Sequence, residues 1–271
     1  MRWLVILLLC LAGPARADLV EVDVELFLAV DVSRSMSPAE MEIQRRGYSE
    51  ALASDDVVGA IQGGLIGAVA ITYVEWAGAT SQREIIPWTV ISNAEQAQGF
   101  ADQVAANFDP SLRRTSISGA LAHAADSIDN NAFHGLRRVI DVSGDGPNNH
   151  GAPVLKARQA VLDRGITSNG LPLMTRDGFS ARWHLEDLDD YYRNCVIGGP
   201  GAFAIPVLSW DQFAEAVRRK LVLEIAGYTP PARIIRAQHR GGDGPAYDCL
   251  IGEKIWEQNR RFWDGRWPWR D

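Results

Sequence analysis

The sequence predicts an α/β protein with a Rossmann-like, doubly wound, mostly parallel sheet of six strands and helices on both faces. Short apolar runs of the kind that form buried strands alternate with longer segments in which apolar residues recur at helical spacing. This alternation is typical of parallel sheets, because a helix makes each crossover between neighbouring strands. The 271 residues, 46% of them hydrophobic, are enough to bury such a core.

The strands are predicted from apolar runs. The first, 22–30 (VDVELFLAV), alternates and then becomes continuously apolar, as a strand buried on both faces does. The third contains Pro87, which cannot donate a ladder hydrogen bond, so we expect that strand at an edge of the sheet. The predicted strands after the first are 65–76, 83–90, 137–142, 166–173 and 202–207.

The helices are predicted from amphipathic spacing and from capping residues. Ser37 precedes Pro38, and a serine N-cap followed by proline in the first turn is a typical helix start. Ser92 or Asn93 caps the second helix in the same way. The predicted helices are 38–54, 93–108, 115–131, 154–163, 185–194 and 210–225.

Residues 1–17 have the layout of a cleaved secretory signal. A positive start at Arg2 leads into a short apolar run, and Ala15-Arg16-Ala17 supplies an A-x-A ending. The apolar run is shorter than the roughly 20 residues that a membrane-spanning helix needs. We therefore expect a mature chain that begins at Asp18 and is periplasmic or secreted.

Charge argues against a nucleic-acid partner. Removal of the signal takes Arg2 and Arg16 from the 27 basic residues and leaves 25 against 34 acidic ones, a net charge of −9. A nucleic-acid-binding surface normally needs a basic excess. We expect none here.

Two cysteines remain in the mature chain, since Cys10 falls inside the signal. In an oxidising compartment a disulfide between Cys195 and Cys249 is favoured over two separate buried thiols. Such a bond would pin the C-terminal residues 228–271, which hold four of the nine tryptophans and eight basic residues. This Trp/Arg-rich appendage either packs over the domain or makes peripheral contact with a membrane.

Oxygen-bearing side chains follow two of the predicted strands. Asp31, Ser33 and Ser35 leave the first strand, and Asp145 follows the strand at 137–142. Thr115 opens the helix between them. Ligands of parallel sheets bind beyond the carboxyl ends of the strands, so these residues are candidates for one site. Carboxylates and hydroxyls without histidine or thiol favour Mg²⁺, with Mn²⁺ or Ca²⁺ as alternatives.

Three segments resemble the metal-ion-dependent adhesion site (MIDAS) of von Willebrand factor A-type domains. They are D-V-S-R-S at 31–35, T-S-I-S-G-A-L at 115–121 and G-D-G at 144–146. The resemblance implies an A-type domain over 18–227 whose metal is held by the five residues named above, with an acidic side chain of a protein ligand completing the metal shell. The signal, cysteines and tail are similar to a domain-of-unknown-function branch of such proteins in Gram-negative bacteria.

The chain departs from that family's pattern at two places. Arg113 and Arg114 stand where glycines are common, and they either repel the cation or help to hold an anionic ligand. Gly144 stands where threonine is common, which removes one hydroxyl.

These features together predict an exported, metal-dependent binding module that is not an enzyme. One alternative is a metal-assisted hydrolase with His150 or Asp141 as the base. Another is a structural envelope protein in which the metal site is vestigial and the Trp-rich tail makes the contacts.

Overall fold

The computed structural model describes residues 19–106, 113–175, 185–227 and 247–264. Its strands are β1 (Val20–Asp31), β2 (Val69–Trp76), β3 (Gln82–Ile91), β4 (Phe133–Gly144) and β5 (Thr167–Pro172). The described strands form one sheet in the order β3-β2-β1-β4-β5, in which β1 pairs in parallel with both of its neighbours and β3 runs antiparallel to the others. The predicted α/β class and mostly parallel sheet are confirmed.

The prediction of a sixth strand is wrong. Residues 202–207 run beside β5 but make only isolated bridges, at Ala204 and Val207. Val207 N–H donates to Pro172 O over 2.9 Å. Pro172 has no N–H to donate, so the ladder between these two segments is interrupted at this residue.

The edge position of β3 is confirmed, and a bulge accommodates its proline. Ile71 of β2 pairs with Thr89, whereas Tyr73, two residues on, pairs with Ile86, three residues back. The extra residue falls in the segment that contains Pro87. A bulge at a sheet edge is the usual way to place a proline within a strand.

Eight α-helices are described, two more than the sequence predicted. They are α1 (Pro38–Leu52), α2 (Asp55–Gln62), α3 (Ala94–Ala106), α4 (Ile117–Asp129), α5 (Val154–Asp163), α6 (Leu188–Tyr191), α7 (Phe213–Ala226) and α8 (Ile251–Asp264). The unpredicted ones are α2 and α8. The predicted helix at 185–194 is shorter, because α6 continues into a π-helical turn, Tyr192–Val196. None of the described helices has the length and hydropathy to span a membrane.

Both faces of the sheet are covered, which explains the continuous apolar run in β1. Leu26, Leu28 and Val30 pack into the core beneath α1, α2, α3 and α7. Phe27 and Ala29, pointing the other way, pack into the core beneath α4, α5 and α6. A strand with two buried faces has no position left for a solvated side chain, so the run is apolar at successive residues.

The predicted cap of α1 is confirmed. Ser37 N–H donates to Glu40 Oε2 over 2.6 Å, and Glu40 N–H donates back to Ser37 Oγ over 3.3 Å. This reciprocal capping box satisfies two backbone donors at the helix start. Ser37 therefore has a structural role.

A buried ionic cluster joins α7 to β4. Lys220, which is fully buried, lies 2.7 Å from Asp141 and also pairs with Glu224. Asn169 of β5 donates to Glu224 over 2.9 Å. Burial raises the pKa of Asp141, and burial together with the charge of Asp141 raises the pKa of Glu224 to about 7.

Replacing Lys220 by methionine should leave two buried carboxylates unpaired. We expect Lys220→Met to lower the free energy of unfolding by about 3 to 5 kcal/mol at pH 8, measured by urea denaturation. The loss should be smaller at pH 5. The pKa of Glu224 is about 7 in the folded protein, so Glu224 is mostly neutral at pH 5 and needs no counter-charge. As the pH rises through 7, Glu224 becomes charged, and the stability that its neutral form contributes is lost.

Lys156→Met on α5 is the matched control, because Lys156 is exposed. It should change stability by no more than about 0.5 kcal/mol. A Lys220→Met protein as stable as the control, or an equal loss at both pH values, would contradict the role given to this cluster.

Candidate metal centre

The pairing of β1 with β4 brings the two predicted aspartates to one edge of the sheet. The strands are parallel, and Val30 lies opposite Ser143. Asp31 ends β1, and Asp145 comes directly after β4. Both side chains therefore emerge at the carboxyl edge, where parallel sheets bind their ligands.

A chain of hydrogen bonds connects Asp31 to Asp145 through two serines. Ser33 N–H donates to Asp31 Oδ1 over 2.7 Å, and the hydroxyls of Ser33 and Ser35 lie 2.9 Å apart. Ser35 Oγ then donates to Asp145 Oδ1 over 2.8 Å. Four of the five predicted site residues are thus in one contiguous cluster.

Thr115 lies on a neighbouring loop that is tied to the loop after β4. Its N–H donates to Asn149 Oδ1 over 3.1 Å, and its carbonyl accepts from Asn149 N–H over 2.9 Å. The cap of α4 is Ser116, whose hydroxyl accepts from Gly119 N–H over 3.1 Å. Capping therefore does not explain Thr115. Its role as a ligand stays a prediction, because the contacts that join the other four residues do not include its hydroxyl.

The two carboxylates are buried without a basic partner among the described residues. Burial, followed by the charge of Asp145, raises the pKa of Asp31 well above its ordinary value. Burial raises the pKa of Asp145 to about 6, and the charge of Glu40 adds to this rise. Asp31 Oδ2 is buried and has no hydrogen-bond partner. An unneutralised pair of this kind fits a bound cation.

The predicted metal ligands carry little negative charge. Within the described part of the chain, no group of three or more His, Cys, Asp and Glu side chains is placed to hold a metal. The predicted set is of another kind, with two carboxylates and three hydroxyls. These hard oxygen donors fit Mg²⁺, Mn²⁺ or Ca²⁺.

Gly144 has no room for a side chain. A Cβ at this position would lie 3.0 Å from Asp31 Oδ2 and 2.9 Å from Tyr192 Oη. The Tyr192 hydroxyl, buried and without a hydrogen-bond partner, thus reaches the space where a larger residue at 144 would stand. Tyr192 could not be predicted as a neighbour of the site, because the π-helical turn that carries it is distant along the chain. Gln44, also missed, donates from Nε2 to Asp31 O over 2.9 Å.

The two bases considered for a hydrolase have other contacts. Asp141 is paired with Lys220 inside the protein. His150 Nδ1 accepts from Ala79 N–H over 3.1 Å, which ties the loop after β2 to the loop after β4. Nδ1 is then the acceptor, so a neutral His150 carries its proton on Nε2.

The predicted disulfide between Cys195 and Cys249 is present and attaches the C-terminal segment beside the candidate centre. Glu253 of α8 accepts from Asn148 Nδ2 over 2.7 Å. The Trp256 ring lies under the Arg114 guanidinium, 3.8 Å from ring centroid to Cζ. Of the predicted appendage, 247–264 therefore packs, at least in part, against the loops that carry Thr115 and Asp145.

Several predictions fall on residues or side chains that the structure does not describe. These are the signal at 1–17, the stretches 228–246 and 265–271 of the appendage, which include Trp267 and Trp269, and the side chain of Trp263. The domain boundaries likewise stay predictions.

One family model matches the chain. It is described as "Protein of unknown function (DUF1194)" and matches residues 21–229. The match includes β4, all five predicted ligands and all of β1 except its first residue, Val20. A search of curated proteins finds no match.

Solved structures share the fold at low sequence identity. Proximal thread matrix protein 1 from the mussel byssus has a TM-score of 0.52 and 14% identity, covering 78% of this chain and 49% of that one. The pilus adhesin SpaC from Lactobacillus rhamnosus GG gives 0.52 and 12%, covering 78% and 31%. A von Willebrand factor type A protein from Catenulispora acidiphila gives 0.51 and 13%, covering 76% and 43%.

This chain spans less than half the length of each of these proteins. At such identities the likeness shows the fold alone, and that fold is the predicted von Willebrand factor A type. The mussel protein has also been solved with zinc in its MIDAS motif.

Breaking the disulfide should loosen the C-terminal segment. We expect Cys249→Ser to lower the free energy of unfolding by about 2 to 4 kcal/mol, because the unfolded chain loses a cross-link. Cys195→Ser should give the same loss, and dithiothreitol should lower the melting temperature of the wild type but not of either variant. A wild type that melts at the same temperature with and without dithiothreitol would contradict this.

Proposed function

This chain belongs to the family described as "Protein of unknown function (DUF1194)", and from that premise we propose that it is an exported, divalent-cation-dependent binding module. Its ligand is a protein that presents an acidic side chain, and the ligand's carboxylate completes the coordination of the cation. The module binds this partner and does not turn it over.

The proposal rests on the unneutralised carboxylates at the carboxyl edge. Asp31 and Asp145 are buried together, and Asp31 Oδ2 has no hydrogen-bond partner. Burying two negative charges without a counter-charge costs several kcal/mol. No described Lys or Arg pairs with them, so a cation from solution is the compensating charge that the arrangement favours.

The residues that would hold the cation are Asp31, Ser33, Ser35, Thr115 and Asp145. Three of these supply neutral hydroxyls, which leave most of the charge of a divalent ion uncompensated. The bound ion would supply a positive centre that attracts an anionic oxygen. The hydrogen bonds of Ser33 and Ser35 hold the two aspartates in position relative to each other.

Mg²⁺ is the ion that we propose, with Mn²⁺ or Ca²⁺ as alternatives. The donor atoms are all oxygen, which suits hard cations better than zinc. Zinc in the MIDAS motif of the mussel protein makes it worth testing alongside them.

An exported location is supported by the disulfide between Cys195 and Cys249. Disulfides of this kind persist in oxidising compartments, such as the bacterial periplasm or the extracellular medium. The secretory layout of residues 1–17 points the same way. We propose a periplasmic or secreted protein.

A metal titration of the wild type and of Asp31→Asn tests the proposal. At a Mg²⁺ concentration one hundred times the dissociation constant, the wild type should gain about 2.7 kcal/mol of stability. Asp31→Asn should gain none. Without metal this variant should be at least as stable as the wild type at pH 7, because it removes a buried charge beside Asp145.

Asp102→Asn provides the matched control, since Asp102 is exposed on α3 and should leave the Mg²⁺ effect unchanged. An equal Mg²⁺ effect in Asp31→Asn would place any bound ion elsewhere. A wild type that none of Mg²⁺, Mn²⁺, Ca²⁺ and Zn²⁺ stabilises would contradict the proposal.

A further inference from the structure

Three arginines stand beside the candidate ligands. Arg34 lies between Ser33 and Ser35, and Arg113 and Arg114 directly precede Thr115. All three are exposed, whereas Ser33 and Thr115 are 1% and 6% exposed. We call these three residues the arginine rim. The chain as a whole carries a net charge of −7, so basic residues concentrated here depart from its overall balance.

Several arginines elsewhere on the surface are paired with acidic side chains. Arg138, Arg164 and Arg193, for example, each lie within 2.9 Å of an aspartate oxygen. In the described part of the chain, by contrast, no carboxylate forms a salt bridge with a member of the arginine rim. These positive charges would also repel a cation bound next to them. Charge complementarity therefore points to an anionic group that comes from a ligand.

Arg114 is held in a defined position. It is the one described non-glycine residue with a positive φ, at 78°. A residue in this conformation costs of the order of 1 kcal/mol and persists where its surroundings fix it. Ser116 N–H donates to Ala77 O over 2.7 Å just beyond it, and the guanidinium rests on Trp256. A guanidinium stacked on an aromatic ring still has its in-plane N–H donors available for a carboxylate.

We propose that the arginine rim is a second anion-binding subsite and that the ligand is an acidic protein segment with at least two carboxylates. One carboxylate completes the coordination of the cation, and the next is bound by Arg34 and Arg114. This inference rests on the proposed function, since the cation fixes the first carboxylate. Trp256 acts as a positioning residue, which makes α8 part of the ligand-binding surface.

Two peptides in a glycine-serine background test the proposal on the full chain with saturating Mg²⁺. One carries a single aspartate and the other carries three in a row. The wild type should bind the tri-aspartate peptide about tenfold more tightly, a ratio that corresponds to about 1.4 kcal/mol. The preference should shrink as NaCl is raised, because exposed charges are screened.

The variant Arg34→Gln/Arg114→Gln should lose this preference while binding the single-aspartate peptide as before. Its affinity for Mg²⁺ should equal or exceed that of the wild type, which also shows that the fold is intact. Lys156→Gln/Arg219→Gln removes two positive charges from exposed positions on α5 and α7, and should keep the preference. Trp256→Leu should reduce the preference without any change in charge.

Equal affinity of the wild type for the two peptides would overturn the inference, as would an unchanged preference in Arg34→Gln/Arg114→Gln. The proposed function would still hold in either case if the wild type binds Mg²⁺. Tighter binding of inorganic polyphosphate than of the tri-aspartate peptide would overturn the choice of a carboxylate ligand. If no cation binds, the proposed function fails. In that case, binding of the tri-aspartate peptide is measured in EDTA. The arginine rim is upheld as an anion-binding subsite only if this binding still depends on Arg34 and Arg114.

Discussion

The parallel pairing of β1 with β4 is the constraint on which the rest of the site depends. It delivers Asp31 and Asp145 to the same edge of the sheet, where both are buried. Two carboxylates so placed repel each other and lose hydration, so the surrounding structure has to hold them. The serine hydroxyls between them and the Gln44 amide on the Asp31 carbonyl supply part of that support.

The described residues include two buried pairs of acidic side chains, and the two pairs differ in their counter-charge. Asp141 and Glu224 receive their counter-charge from Lys220 on α7. Asp31 and Asp145 have no such partner among the described residues. Lys220 is an internal counter-charge with a structural role, whereas the counter-charge that we propose for Asp31 and Asp145 comes from solution. The contrast within one molecule is the physical basis for the cation assignment.

Much of this arrangement could be predicted from the sequence, because strands, caps and strand-end residues are local features. Several of the failures come from long-range contacts. The ladder between β5 and residues 202–207 is interrupted at Pro172, which has no N–H to donate. The Tyr192 hydroxyl near Asp31 and the Trp256 ring under Arg114 join parts of the chain that lie far apart. One missed contact was local: Lys220 and Glu224 are four residues apart on α7, a spacing that predicts an ion pair on one face of a helix.

The most direct measurement is anomalous scattering from crystals of the protein grown with Mn²⁺. A cation held by the carboxyl edge predicts an anomalous peak in contact with the Ser33 and Ser35 hydroxyls, at about the 2.0 to 2.2 Å expected for Mg²⁺-type oxygen coordination. The Thr115 hydroxyl and the carboxylates of Asp31 and Asp145 should surround the same peak, directly or through water. A peak bound only at other carboxylates, or no peak in crystals that contain Mn²⁺ in excess, would contradict the central claim.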